Sequence, residues 1–366
     1  MIPIAKPFIS DEEIKAAADV LNSGFIAQGA KVGIFEELFA RLCGTKHAIA
    51  LNSGTAALHT ALKAAGIKQG DEVITTPFTF IATANTILMQ GAKPVFADID
   101  EETFNICPSN IEQKITKKTK AIISVDLFGH LCDYDSINEI ANKHELVVIE
   151  DSCQAVNAEY KGKKAGSFGD AAAFSFYATK NITCGEGGAL TTDNKDYAEA
   201  SRLFRQHGRS GMQEYEYIGL GFNYRMTDIC AAILIEQLKK LDLITEKRIE
   251  NAEYLSKGLS KVKGIRNPIV KKGFKHVFHQ YTIKVEDNFK LNRNELINYL
   301  KEKGIGSAVY YPQPLHLCSH IRSLGYKKGD FPISERLSQK VVSLPVHPSL
   351  TKEQLNHVIG AFGELE

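Results

Sequence analysis

Lys180 stands alone between two short β-like runs in the stretch Ala172 to Thr192, and an amine in that setting suits Schiff-base chemistry. Ala172, Phe174 and Phe176 alternate with Ala173 and Ser175, so the spacing predicts a half-buried strand that carries Ser175 and then Lys180 to one end of a sheet. After the lysine, Gly185, Gly187 and Gly188 permit a tight reversal before a second strand from Ala189 to Thr192. A lysine in a glycine-rich turn is otherwise a solvated loop residue, and Lys180 by itself does not separate the two readings.

Other residues bear on that choice. Asp151 ends the run LVVIED behind four apolar residues, where a carboxylate either caps the following turn or needs a cationic partner. A protonated ring nitrogen would satisfy it, with a charge-assisted bond of roughly 1.5–3 kcal/mol. Ser53-Gly54-Thr55-Ala56 joins a strand to a helix, so it is either a plain cap or a phosphate site built on free backbone amides. Ser175 is placed to add a hydroxyl to that phosphate, and Phe80 either packs in the core or lies against a flat ring. Phosphate cradle, stacking aromatic, aspartate, hydroxyl and amine occur in that order at strand ends. Together they describe a site for pyridoxal 5'-phosphate.

The elements that must hold these groups read as α/β. From His47 onward strands and helices alternate, through HAIAL, DEVITTP, KPVFADID, KAIISVDLFG and LVVIED, which predicts a mostly parallel sheet between helices. Ligands of such sheets bind at the carboxyl ends of the strands, where Gly54, Thr55, Phe80 and Asp151 fall. With 366 residues the chain is expected to divide into an N-terminal arm (1–15), a large domain (16–249) and a smaller α+β domain (250–366). The net charge of +1 offers no field for nucleic acid or an anionic membrane. No apolar run approaches a membrane span, and no leader pattern opens the sequence, so a reducing cytoplasm is the expected location. Seven scattered cysteines without a CxxC pair argue against a metal site or a disulfide framework.

At this point the chain resembles the DegT/DnrJ/EryC1/StrS family of sugar aminotransferases, which have the fold type I architecture of aspartate aminotransferase. The likeness runs from PFIS at 7–10 through LNSGTAAL, GDEVITTPFTFIAT, EDSCQA, TKNITCGEGG, GFNYRMTDI and YYPQPLH to SLPVHP at 343–348. It implies a large domain with a sheet of the seven-stranded type and a smaller C-terminal domain. It implies that Lys180 bonds covalently to pyridoxal 5'-phosphate and that Asp151 pairs with the pyridine nitrogen. Gln154 would bond the ring's phenolic oxygen, Gly54, Thr55 and Ser175 the phosphate, and Phe80 would stack. Asn223 would reach the phosphate in a neighbouring subunit, which makes the expected assembly a homodimer with composite sites. The implied reaction takes an amino group from glutamate, or glutamine, to a nucleotide-linked keto-sugar, with His207, Arg225, Tyr310, Tyr311 and His316 as candidate substrate contacts.

The sequence also departs from the family pattern. Asp126 and His130 lie at a strand end, where they either tune the substrate or form a solvated turn. Three further readings stay open: a sugar dehydratase of the same family, against which Lys180 argues, a non-catalytic regulatory member, and another fold type I enzyme acting on small amino acids, against which the motifs around 182–188 and 219–228 argue.

Overall fold

The apolar runs after His47 become the strands of one central sheet, and their order explains why the polar residues that end them share an edge. The computed structural model describes residues 1–210 and 215–365. Before the sheet come two helices, α1 (Asp11–Ser23) and α2 (Ala30–Cys43). Ser10 precedes α1 in a capping box, its N–H donating to the Glu13 side chain at 2.9 Å. The sheet contains β1 (His47–Leu51), β2 (Glu72–Thr75), β3 (Lys93–Phe96), β4 (Thr119–Val125), β5 (Val147–Asp151), β8 (Ala171–Ser175) and β9 (Gly188–Thr192). Two short strands, β6 (Glu159–Tyr160) and β7 (Lys163–Lys164), join β11 (Phe274–Lys275) in a separate ribbon.

The strand order is β1-β9-β8-β5-β4-β2-β3, with β9 antiparallel to both its neighbours and the other pairings parallel. All of β1, β2, β4, β5 and β8 therefore end at one edge, and β9 begins there. The sequence predicts β8 as half-buried, but all five of its residues are buried. It is an interior strand with helices on both faces, so its two residue sets enter two different cores. On one face Phe174 and Phe176 meet Phe39 of α2 edge-on, at ring separations of 4.9 and 5.4 Å. Each fully buried aromatic of this kind contributes roughly 1.5–3 kcal/mol. On the other face Ala171 and Ala173 pack with Ala56, Ala57 and Ala61 of helix α3 (Gly54–Ala64). These small residues let α3 lie close to β8, which decides where its first turn points.

Around the sheet lie α4 (Ala82–Met89), α5 (Pro108–Glu112), α6 (Tyr134–Lys143), α7 (Lys195–Arg205) and α8 (Asp228–Lys239). Thr227 caps α8 by accepting from Cys230 N–H at 3.2 Å. Asp228 of α8 accepts in turn from the amides of Gly29 and Val32, at 2.8 and 3.0 Å, and so fixes the start of α2. Helix α9 (Leu241–Leu259) then leads to a second core around β10 (Ile265–Arg266), β12 (Tyr281–Val285) and β13 (Val341–Leu344). Among the described residues no helix is long and apolar enough to cross a membrane.

Candidate active site

At the shared strand edge the chain encloses a cavity of about 710 Å³, a size that accommodates a cofactor together with part of a substrate. Gly54, Thr55, Phe80, Asp151, Gln154, Ser175, Lys180, Tyr310 and Tyr311 all line it. Nine residues named from sequence thus converge, although they span 258 positions from Gly54 to Tyr311.

Asp151, the last residue of β5, lies at the base with 6% of its surface exposed. Its Oδ2 accepts a 2.7 Å hydrogen bond from the Thr83 hydroxyl, and Thr83 is itself 3.1 Å from the Thr79 hydroxyl. Its Oδ1 receives only a long contact from Cys153 N–H at 3.4 Å. One carboxylate oxygen is thus oriented by the protein and the other remains available for a cation. Thr83 was not picked out by sequence reading. The signal was present in FTFIAT, where Thr79 and Thr83 stand four apart across the entry to α4.

The first turn of α3 also lines the cavity. Ser53 caps it, its hydroxyl accepting from Ala56 N–H at 3.1 Å, while the Gly54 and Thr55 amides keep no partner among the described residues. A side chain at Gly54 would place its Cβ 2.9 Å from Ser175 Cβ and 2.8 Å from Cys153 Sγ. Gly188 is more restrictive still: a Cβ there would lie 2.3 Å from the Ser53 carbonyl oxygen. Both glycines are needed for β8, β9 and α3 to approach closely enough that Ser175 joins the free amides.

Lys180 is half-buried in the turn between β8 and β9, and among the described residues its amine forms no hydrogen bond or ion pair. Desolvation lowers its pKa, with the neighbouring Cys153 and Asp151 opposing the shift. The turn is tied down on both sides: Phe176 N–H donates to Gly187 at 2.8 Å and Cys184 N–H to Phe176 at 3.1 Å. Asn181 Nδ2 also donates to the Val277 carbonyl at 3.1 Å, linking the turn to the segment before β12.

That segment supplies His279 and Gln280 to the cavity wall, both missed by sequence reading. His279 is 6% exposed and burial, then the positive Lys180 and Arg248, drive its pKa well down, so the ring is neutral. Its Nδ1 has no partner among the described residues. Within HQYTIKV it reads as an ordinary strand position, and nothing in the spacing marks it. Gln154 accepts from Phe128 N–H at 2.9 Å and donates to the Tyr311 hydroxyl at 3.3 Å. Phe80 is 55% exposed, with one face toward Tyr311 at 6.3 Å and tilted by 36°. Its remaining surface is free to cover a ring.

Four sequence candidates lie elsewhere in the chain. His316 is fully buried, its Nε2 2.9 Å from Glu335, and does not line the cavity. His207 and Asn223 are exposed on facing segments, joined by a bridge between Gln206 and Asn223, and Arg225 bridges to Leu51. Asp126 and His130 form neither a solvated turn nor part of the cavity. Both are buried, and Asp126 accepts from Ser152 at 2.6 Å and from Tyr134 at 2.9 Å.

The arrangement offers amides and a hydroxyl for a phosphate, a half-free carboxylate for a ring cation, and a partly desolvated amine. These donors fit pyridoxal 5'-phosphate. Comparison with known proteins agrees. The model of the DegT/DnrJ/EryC1/StrS aminotransferase family matches residues 7–363. An uncharacterized protein of Methanocaldococcus jannaschii is 47% identical, over 98% of this chain and 96% of its own. The GDP-perosamine synthase of Caulobacter vibrioides is 39% identical, over 100% of this chain and 98% of its own. Among solved structures, a Streptococcus pneumoniae chain in its PLP-form superposes with a TM-score of 0.95 at 31% identity, covering 100% of this chain and 98% of that one. The chain therefore belongs to the DegT/DnrJ/EryC1/StrS aminotransferase family and is a pyridoxal 5'-phosphate-dependent aminotransferase.

Proposed function

We propose that this aminotransferase moves an amino group from glutamate, or glutamine, to a keto-sugar carried on a nucleoside diphosphate, for amino-sugar synthesis. The observation that carries the reading is the single cavity in which Lys180, Asp151 and the free amides of α3 meet. The likeness to a GDP-perosamine synthase supports the substrate class. The half-exposed Tyr310 and Tyr311 at the cavity wall leave room for a sugar beside the cofactor.

Bound pyridoxal 5'-phosphate supplies an electron sink that makes the carbon bearing the transferred nitrogen acidic. The chain's residues do the rest. The α3 amides of Gly54 and Thr55, with Ser175, hold the phosphate. Asp151, oriented by Thr83, keeps the ring nitrogen protonated, and Phe80 covers the ring. Lys180 Nζ would take the proton from the substrate carbon, which needs a neutral amine, and desolvation favours that form. Gln154 faces the ring's phenolic oxygen.

A homodimer with Asn223 reaching into the neighbouring site belongs to the same reading. Large apolar side chains of the neighbouring segment lie open in the single chain, with Leu220 72% and Ile218 61% exposed.

The test is turnover with glutamate and a panel of nucleotide-linked keto-sugars, read as 2-oxoglutarate released. At least one keto-sugar is expected to support it, and Lys180→Ala to abolish it. Turnover with simple keto acids alone would overturn the substrate class, and undiminished turnover in Lys180→Ala would overturn the assignment of the base.

A further inference from the structure

Two cysteines from different elements meet beside the lysine-bearing turn. Cys184 closes that turn, and Cys230 lies in the first turn of α8. Cys230 Sγ is 3.8 Å from the Cys184 carbonyl oxygen, and Cys184 Sγ is 3.2 Å from the carbonyl of Glu186, which lines the cavity. Gly187 makes space for the Cys184 sulfur, since a Cβ there would be 2.6 Å from it. Both cysteines are partly exposed, whereas Cys43 and Cys132 are buried.

The two cysteines are neighbours across the turn and the start of α8, and their surroundings differ. Cys184 stabilises the Cys230 thiolate and holds it at about 6, while Cys184 itself is raised well above the ordinary thiol value. The Thr227 hydroxyl adds to the stabilisation of Cys230, and the position near the start of α8 favours an anion. The place of Cys230 at the start of α8 makes it the attacking thiol, and Cys184 on the adjoining turn is placed to resolve. The competing cysteines are less suited. Cys43, Cys132, Cys153 and Cys318 are all pushed up by burial, and the Cys107 sulfur is 3.2 Å from the Ser109 hydroxyl.

We propose that Cys230 and Cys184 form a thiol–disulfide exchange site that takes a low-molecular-weight disulfide such as oxidised glutathione and closes to an intramolecular disulfide. Cys230 thiolate attacks one sulfur of the reagent, whose S–S bond breaks and releases one thiolate. Cys184 then gives up its proton and attacks Cys230 Sγ, which breaks the mixed disulfide and expels the second thiolate. The two protein thiols lose two electrons and two protons, and the reagent disulfide becomes two thiols. The product clips the turn that follows Lys180 to α8 and restrains Glu186 at the cavity.

The experiment uses the intact holoenzyme with oxidised glutathione at about pH 7.5, followed by alkylation and mass spectrometry. Wild type is expected to become about 2 Da lighter, with a peptide pair linked through Cys184 and Cys230 and no lasting adduct. Cys184→Ser is expected to accumulate a glutathione adduct on Cys230, and Cys230→Ser to form neither product. In the reduced wild type, alkylation of Cys230 should run about 10-fold faster than that of Cys318. A persistent adduct on Cys230 in wild type, a link between other cysteines, or no oxidation at all would each overturn the proposal. None of these readouts depends on the substrate.

Discussion

Replacing Thr83 by valine removes one hydroxyl and keeps the side chain's shape, which isolates its 2.7 Å bond to Asp151. A hydrogen bond to a charged group is worth roughly 1.5–3 kcal/mol. Without cofactor, Asp151 would lose its only short partner and keep the 3.4 Å contact from Cys153, so the whole deficit should fall on the apoprotein. With cofactor bound, a ring cation on the free oxygen offsets much of that loss. For a chain of 366 residues the unfolding entropy is about 0.8 kcal/mol per kelvin, so the apo variant should melt about 2–4 °C below apo wild type. The holo variant should show a clearly smaller gap. Differential scanning calorimetry of both proteins, before and after cofactor removal, measures the two gaps. Equal gaps would mean that Asp151 gains no cationic partner from the cofactor, and the reasoning about the base of the site would fail.

Gly188→Ala should impair the phosphate cradle without touching the cofactor, because its Cβ would meet backbone at 2.3 Å, at the Ser53 carbonyl, where no flexible side chain can yield. The expected effect is roughly 1–3 kcal/mol of lost stability and weaker cofactor retention, measured by melting and by equilibrium dialysis; unchanged retention would show that the α3 turn is not the anion site. Asp126→Asn tests the buried carboxyl, which burial and then the neighbouring Glu150 charge push up to about 8. A raised native pKa means that the folded chain keeps a proton the unfolded chain has released, so stability is greatest below 3.8 and falls as pH rises toward about 8. Urea midpoints of the asparagine variant should therefore change less between about pH 5 and pH 8 than those of wild type, and parallel slopes would refute the assignment.

The convergence of residues at the cavity is legible because they end strands. Gly54, Asp151 and Ser175 are marked by the switch from apolar alternation to small or acidic residues, and strand ends of a parallel sheet must share an edge. The burial of β8 was misread as one-sided, since its second face is lined by alanines that pattern poorly yet pack against α3. His279 and Gln280 escaped notice because they come from the segment before β12, more than 90 residues beyond Lys180, and no local periodicity reports which loop will fold over a sheet edge. His316 had the opposite fate: a histidine beside two tyrosines suggested a ligand contact, but Glu335 and Phe331 enclose it.

The antiparallel placement of β9 beside β8 has a mechanical consequence. Both feet of the arch that carries Lys180 are hydrogen-bonded into neighbouring strands, paired from Ser175 to Gly188. The arch cannot lengthen or slide without breaking the ladder on either side. The amine therefore works on a fixed mooring, and its travel comes from rotation about its own methylene bonds. Adding or removing a residue anywhere in 176–187 should change that reach more severely than the same edit in a loop anchored at one end.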